Sequence, residues 1–390
     1  MSLLGNSITA IALPLVVLFT TGSPVGAGVV AIASAVPAAF AGLLMGALVD
    51  RINRRTVAIL SDVISAVALL ILPIVHLTIG LNLGWFIAVA ILNSFGDVPG
   101  ITAREAMLPA IAKAAKLDPS RLIGIRESLS GASLLLGPGV AGILVAALEP
   151  VSVLWITSGL AVSAALLTFV IPPRAAVFVG ETVEAPSSTS AMSMFRGMGI
   201  IFRSPLLRGL VLLGLALAIV LAATQGMVMP VHFAVQGEPQ FVGFVLSALA
   251  AGLLVGGGIF AALGHRIPRC IWFIAGLILV AAGFSIIAIL GPVWSIFAGA
   301  VAAGIGGGAM NAVIGLAFVE NVPDVQRGTV LGAQNALMVL VPALGIGAAA
   351  VLIEAGGIQL AAVALAGLWI LAAIAALLTP RLRRLGQAEA

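Results

Sequence analysis

The chain has 390 residues, of which 62% are hydrophobic and 8% charged, with a net charge of +4. A soluble domain is about a quarter charged, so these side chains cannot cover a water-facing surface. The soluble enzyme classes are therefore excluded, and a polytopic membrane protein remains. A single cysteine, Cys270, and three scattered histidines, His76, His232 and His265, offer neither an internal disulfide nor a metal cluster. The excess of arginine reads as a topology signal and not as a nucleic-acid surface.

A bilayer-spanning helix needs about 20 mostly apolar residues. Twelve such runs are predicted, at 3–20, 25–49, 57–79, 84–106, 124–148 and 151–172, then at 206–231, 239–264, 270–291, 293–319, 328–353 and 357–379. Span 1 begins almost at Met1 with no basic flank, whereas span 7 follows Arg196 and Arg203. A turn or more of helix 1 is accordingly expected upstream.

The loops set the orientation. Arg51, Arg54 and Arg55 follow span 2; Lys113, Lys116 and Arg121 follow span 4; Arg174, Arg196 and Arg203 follow span 6. Arg266 and Arg269 follow span 8, Arg327 precedes span 11, and Arg381, Arg383 and Arg384 follow span 12. With alternating helices all of these fall on one side, which the positive-inside rule makes cytoplasmic. Both termini are then cytoplasmic, in a bacterial inner membrane. Trp85, Trp155 and Trp294 stand at the opposite ends of their spans, where an aromatic belt belongs.

Residues 173–204 are the one sizeable polar stretch, with Glu181, Glu184, Pro186 and a Ser187–Ser190 run. They read as a cytoplasmic linker, carrying a short surface helix near 192–202, between six-helix bundles at 1–172 and 205–380. A cytoplasmic tail follows at 381–390. Arg51-Ile52-Asn53-Arg54 after span 2 and Arg266-Ile267-Pro268-Arg269 after span 8 occupy matching places. The halves thus read as a parallel duplication of the kind transporters use.

Asp97 is the sharpest residue. Span 4 enters near Gly84, so thirteen residues at 1.5 Å place this carboxylate about 20 Å into the membrane. An ionised carboxylate there costs at least about 2.5–3.5 kcal/mol, so it must face water, meet a partner or carry a proton. Asn93 and Ser94 lie one turn before it, and Pro99 with Gly100 is expected to break the helix locally. A direct bridge to Arg104, seven residues on, is strained. Arg104, Glu105, Arg126 and Glu127 read as one ion-pair cluster at the inner boundary, with Glu127 a second candidate proton site. In the second half Thr224, Gln225, Met229 and Asn311 are candidate cavity residues, together with Asn6, Asn93 and Ser94 from the first. The Gly304–Gly308 run reads as close helix packing, since no Lys-Ser/Thr follows to make a phosphate loop. No ATP site and no nucleophile–base pair is present, so neither a primary pump nor an enzyme is expected.

Gly46-Ala47-Leu48-Val49-Asp50-Arg51-Ile52-Asn53-Arg54-Arg55 resembles the loop 2–3 signature of the major facilitator superfamily, with Asn53 where glycine is usual. Gly131-Ala132-Ser133-Leu134-Leu135-Leu136-Gly137-Pro138-Gly139-Val140-Ala141-Gly142 is similar to that family's span 5 antiporter signature. The opening Leu4–Pro14 and the Thr21-Gly22-Ser23-Pro24 turn are similar to its macrolide-efflux and siderophore-exporter branch. The resemblance implies a twelve-helix transporter of the drug:proton antiporter type, rocking two bundles about a central site. It also implies a cytoplasmic gate made by Gly46, Asp50, Arg51, Arg54, Arg55, Asp62 and Arg104. An antiporter motif of Gly131, Gly137, Pro138 and Gly142 would seal against proton leak. Many relatives carry an acid where Asn6 stands and an arginine where Ser65 stands.

The expected activity is proton-coupled efflux of amphipathic, drug-like compounds by a monomer. It needs no cofactor beyond the proton gradient, no metal and no nucleic acid. The rival readings are a dedicated exporter of one metabolite such as a siderophore, and an uncoupled lipid-handling or sensor protein on the same fold.

Overall fold

The computed structural model describes residues 1–49, 54–114, 119–170, 191–322 and 324–379. These residues are almost entirely helical and fall into two units, Met1–Met192 and Ser193–Ala390. Residues 171–190 and 380–390, which hold most of the expected linker and all of the tail, lie outside the described residues.

Unit 1 contains α1 (Ser2–Thr21), α2 (Pro24–Val49), α3 (Arg54–Thr78), α4 (Leu83–Ala114), α5 (Pro119–Ala147) and α6 (Val153–Val170). The turn between α1 and α2 shows how sequence dictates the joints. Gly22 takes a left-handed conformation (φ 67°) and its N–H returns to the Leu18 carbonyl at 2.9 Å, closing α1. The Ser23 hydroxyl then accepts from the Gly26 N–H at 3.1 Å, and Pro24 opens α2.

A short helix, α7 (Ala191–Arg203), leads into unit 2. Span 7 is composite: α8 (Pro205–Ala223), a π-helical turn at Thr224–Val228, then α9 (Met229–Val235). The π turn was not foreseen. Its cause is Pro230, which has no N–H for the Gly226 carbonyl and whose ring would clash with it in an α-helix. Then come α10 (Gln240–Leu263), α11 (Arg269–Ala288), α12 (Val293–Asn321) and α13 (Asp324–Leu378). The last is two spans joined at Gly357, whose φ of 84° and ψ of 170° are not helical. Among the described residues, eleven helical stretches are long and apolar enough to cross a membrane, and dividing the 47-residue stretch Gly332–Leu378 at Gly357 gives the twelve expected spans.

The packing repeats. In unit 1, α4 lies against α2 and α3, α1 against α5, and α3 against α6. In unit 2, α12 lies against α10 and α11, α8 against the first part of α13, and α11 against its second part. The pairs 2–4, 3–4, 1–5 and 3–6 thus recur six spans later, which is the pattern a duplicated bundle leaves.

One expectation is corrected. Pro99 and Gly100 do not break span 4, since α4 runs unbroken from Leu83 to Ala114. Proline removes one backbone bond, but α3 packs tightly along this segment. A Cβ built at Gly96 would lie 2.8 Å from the Ser61 carbonyl oxygen, and one at Gly100 would lie 2.9 Å from Ser61 Cβ. Two small residues four apart on each helix bring the backbones together, and the lost bond is tolerated inside that contact.

Candidate functional site

The close approach of α3 and α4 assembles two carboxylate sites with opposite chemistry. The first is Asp62. Its side chain is 4% exposed, and both its oxygens accept from Arg104 Nη1 at 2.9 Å. Arg104 Nη2 also donates to the Ser2 hydroxyl at 3.1 Å. One guanidinium therefore joins the start of α1 to α3 and α4. A guanidinium can only donate and is always charged, so both Asp62 oxygens are committed as acceptors.

The second is Asp97, fourteen residues into α4 and thus about 21 Å along it. Ser65 Oγ donates to Asp97 Oδ1 at 2.9 Å, and Asn93 Nδ2 donates to Asp97 Oδ2 at 2.7 Å. Asp97 makes no ion pair among the described residues. Its two partners are ambivalent. A hydroxyl donates to a carboxylate or accepts from a carboxylic acid, and a rotated amide does the same with its oxygen. Asn93 Oδ1 is itself buried and has no hydrogen-bond partner. This pocket can hold the acid in either protonation state by turning two side chains, without moving a helix. The site at Asp62 cannot.

The remaining expected residues divide as follows. Asp50 and Arg51 lie outside the described residues. Gly46 falls within α2, but its surroundings lie outside them too. Arg55 donates through Nη2 to the Phe169 carbonyl at 2.5 Å, with its guanidinium 4.9 Å from the Phe169 ring. It therefore sits on the last turn of α6, at the negative end of that helix. Arg54 begins α3.

The four-charge cluster expected from Arg104, Glu105, Arg126 and Glu127 is corrected. Arg126 binds Glu105 and Glu127, while Arg104 turns to Asp62 because the Gly96–Gly100 contact places α3 within its reach. Glu127 is 60% exposed.

Gly137 of the antiporter motif packs on α1, where a Cβ would fall 2.5 Å from Ser7 Cβ. Pro138 and Gly142 are buried beside it, Gly131 is half-buried, and α5 continues through Pro138. Of the cavity candidates, Asn6 and Gln225 are half-buried and Asn311 is exposed. Ser94, Thr224 and Met229 are buried inside their own units. Ser94 is engaged there, within 3.2 Å of the Ser34 hydroxyl and donating to the Ala90 carbonyl at 2.7 Å. Sequence reading missed the role of Ser65, marked only as a departure from relatives. The available signal was its spacing of four from Ser61, matching Gly96 and Gly100 on the facing span.

The family model of the Major Facilitator Superfamily matches residues 1–237 and 211–389. The chain belongs to that superfamily. It is 28% identical over 388 residues to the multidrug efflux pump Tap of Mycolicibacterium fortuitum, covering 99% of this chain and 94% of that one. It is 24% identical over 293 residues to macrolide efflux protein A of Streptococcus pyogenes, covering 74% of this chain and 70% of that one. Among solved structures it resembles the nucleoside transporter NupG, with a TM-score of 0.73 at 17% identity over 96% of this chain and 97% of that one. It also resembles a bacterial homologue of the lysosomal transporter Spinster, with a TM-score of 0.77 at 14% identity over 99% and 95%. These two likenesses speak for the fold. As a superfamily member the chain is a multi-pass membrane transporter, and its relatives in sequence include efflux pumps.

Proposed function

We propose that this transporter exports amphipathic, drug-like compounds in exchange for protons by alternating access, with Asp97 as the proton carrier. The observation that carries the reading is the contrast between the two carboxylates. Asp62 is pinned by a donor-only cation, while Asp97 is held by Ser65 and Asn93, which serve either protonation state. A carrier must bind and release its proton without leaving a buried polar group unpaired in either form, and that is what these partners allow. The efflux relatives favour outward movement of drug-like cargo over uptake. The positive-inside distribution supports cytoplasmic termini in a bacterial inner membrane, and one copy of the fold supplies the whole site. The chain needs no cofactor beyond the gradient.

The test is a panel of unrelated amphipathic compounds in inside-out vesicles with an imposed pH gradient. Uptake should follow the gradient in the wild type and stop following it in Asp97→Asn. Gradient-independent uptake by the wild type would refute proton exchange. Uptake of a single compound would narrow the protein to a dedicated exporter.

A further inference from the structure

The short helix α7 plays no part in the chemistry above. Its 13 residues make about 20 Å, too short to cross a hydrocarbon layer of about 30 Å. Only Ser204 separates it from α8, the start of span 7. That residue is extended (φ −89°, ψ 112°), its hydroxyl accepts from the Leu207 N–H at 3.4 Å, and Pro205 opens the next helix. So α7 ends there and the span begins anew. The span Pro205–Val235 has 31 residues, about 46 Å, which matches a bilayer with its headgroups at about 40–45 Å. The junction at Ser204 therefore falls at headgroup level, and α7 leaves the span from there.

Unlike the spans, α7 has sides of different chemistry. Gly197 and Ile201, four residues apart, are buried, whereas Phe202 is 47% exposed and Arg203 beside it is exposed. The pair repeats in the sequence, since Phe195-Arg196 stands seven positions before Phe202-Arg203. By register the phenylalanines share one side of the helix and the arginines the next. Arg208, in the first turn of α8, is exposed too. Among the described residues neither Arg203 nor Arg208 makes an ion pair. The sequence holds no acid between Glu184 and Glu238. At headgroup level the chain thus presents an apolar side flanked by positive charge, with no acid of its own nearby in sequence.

We propose that α7 lies in the headgroup layer of the cytoplasmic leaflet and binds anionic phospholipid, with Phe202 in the acyl region and Arg203 and Arg208 against phosphates. A short helix with phenylalanine on one side and arginine on another is the form that rests in an interface, and anionic headgroups attract such cations. The choice of leaflet rests on the positive-inside orientation proposed above. The contact with anionic lipid does not depend on that orientation, on Asp97 or on the direction of transport.

The experiment uses the full chain with Cys270→Ser and Phe202→Cys, spin-labelled at position 202. It is reconstituted into vesicles of phosphatidylglycerol with phosphatidylcholine, or of phosphatidylcholine alone. Collision with oxygen, which concentrates in lipid, and with a water-soluble nickel complex reads the depth of the label. In the mixed vesicles the label should favour oxygen. Adding Arg203→Gln and Arg208→Gln should lower the ratio of inserted to water-exposed label roughly fivefold per arginine, the worth of one cation near an anionic surface. Phosphatidylcholine alone should have the same effect on the unaltered arginines. A label open to nickel in both lipids means a helix in water, and a label closed to both reagents means a cover of protein. Either overturns the proposal, as does an inserted label indifferent to lipid charge. The side is read separately. Arg203→Cys in the Cys270→Ser background should resist a membrane-impermeant maleimide applied to intact cells. Reaction there overturns the orientation, and the assignment to the inner leaflet with it, whatever the depth.

Discussion

The two units share a packing plan and differ in what they bury. Among the described residues of unit 1 the buried polar side chains are Thr9, Ser61, Asp62, Ser65, Ser94, Thr157, Ser158 and Thr168; in unit 2 they are Thr224 and His232. Where α3 and α4 meet in unit 1, one carboxylate, Asp97, lies within reach of a hydroxyl and an amide, and about two turns along α4 the Arg104 guanidinium holds a second, Asp62. The corresponding contact in unit 2, α11 with α12, is closed by glycines, and its ion pair, Arg269 with Glu320, is partly exposed. A Cβ at Gly283 would lie 2.5 Å from the Gly299 carbonyl, and one at Gly306 would lie 2.8 Å from the Gly276 carbonyl. The same close packing thus serves two ends. In one unit it positions a half-buried carboxylate among polar partners, and in the other it sets backbone against backbone. Polar groups are expensive in hydrocarbon and stay where they work.

The sharpest break in this contrast is at Asp97. Asp97→Asn preserves shape and hydrogen-bonding capacity but cannot exchange a proton. Gradient-driven transport should fall by roughly 10²–10⁴, the usual worth of a positioned acid–base group, with the protein still folded. Next in size is the pinned pair. Arg104→Ala leaves the Asp62 carboxylate buried without its cation and should cost about 3–5 kcal/mol in unfolding free energy. The double variant Asp62→Asn with Arg104→Ala should recover most of that loss. Denaturant titration in detergent measures both, and a single variant as stable as the wild type would show the pair to be dispensable.

How much of this was legible in the residues follows from the kind of signal each part leaves. The twelve spans leave long apolar runs with arginines on alternate loops, and their predicted ends fall within a few residues of most observed ones. The exceptions are instructive. Span 7 carries a π turn because Pro230 acts on a residue four earlier, a local effect that hydropathy does not register. Span 4 ignores Pro99 because a neighbouring helix supports it, a tertiary effect invisible along one helix. Asp97 stood out as a lone acid at depth, and Asn93 as its neighbour one turn back. Ser65 did not, since a serine in an apolar span is unremarkable until the facing glycines are aligned with it. Arg104 was expected both beside Asp62 in the gate and in a cluster with Glu105, Arg126 and Glu127; the Gly96–Gly100 contact selects Asp62.

Two smaller changes sharpen the comparison. Gly304→Ala forces a methyl against the α10 backbone and should cost about 1–3 kcal/mol, the usual penalty of overpacking. Its effect should stay in thermal stability and leave the gradient dependence of transport intact. Ser65→Ala should do the reverse. It removes one partner of Asp97 and should move the pH profile of transport and slow it several-fold, with little change in stability. Ser65→Thr keeps the hydroxyl and should restore the wild-type profile. An unmoved profile in Ser65→Ala would reduce that hydrogen bond to packing.

The smallest effect is expected at Glu127, and it decides which acid of unit 1 carries the proton. Glu127 is 60% exposed and bound to Arg126, which also holds Glu105. An exposed pair of this kind is worth about 0–1 kcal/mol. Arg126 is also a permanent donor, so Glu127 shares the pinned character of Asp62 without its burial. Glu127→Gln should therefore leave gradient-driven transport within about twofold of wild type, the scale of such a pair. Measured beside Asp97→Asn in the same vesicles, the two variants form a ranking. Loss of coupling in Glu127→Gln with retention in Asp97→Asn would move the proton from the buried, ambivalent site to the exposed, paired one, and the chemical distinction between the carboxylates would no longer explain the transport cycle.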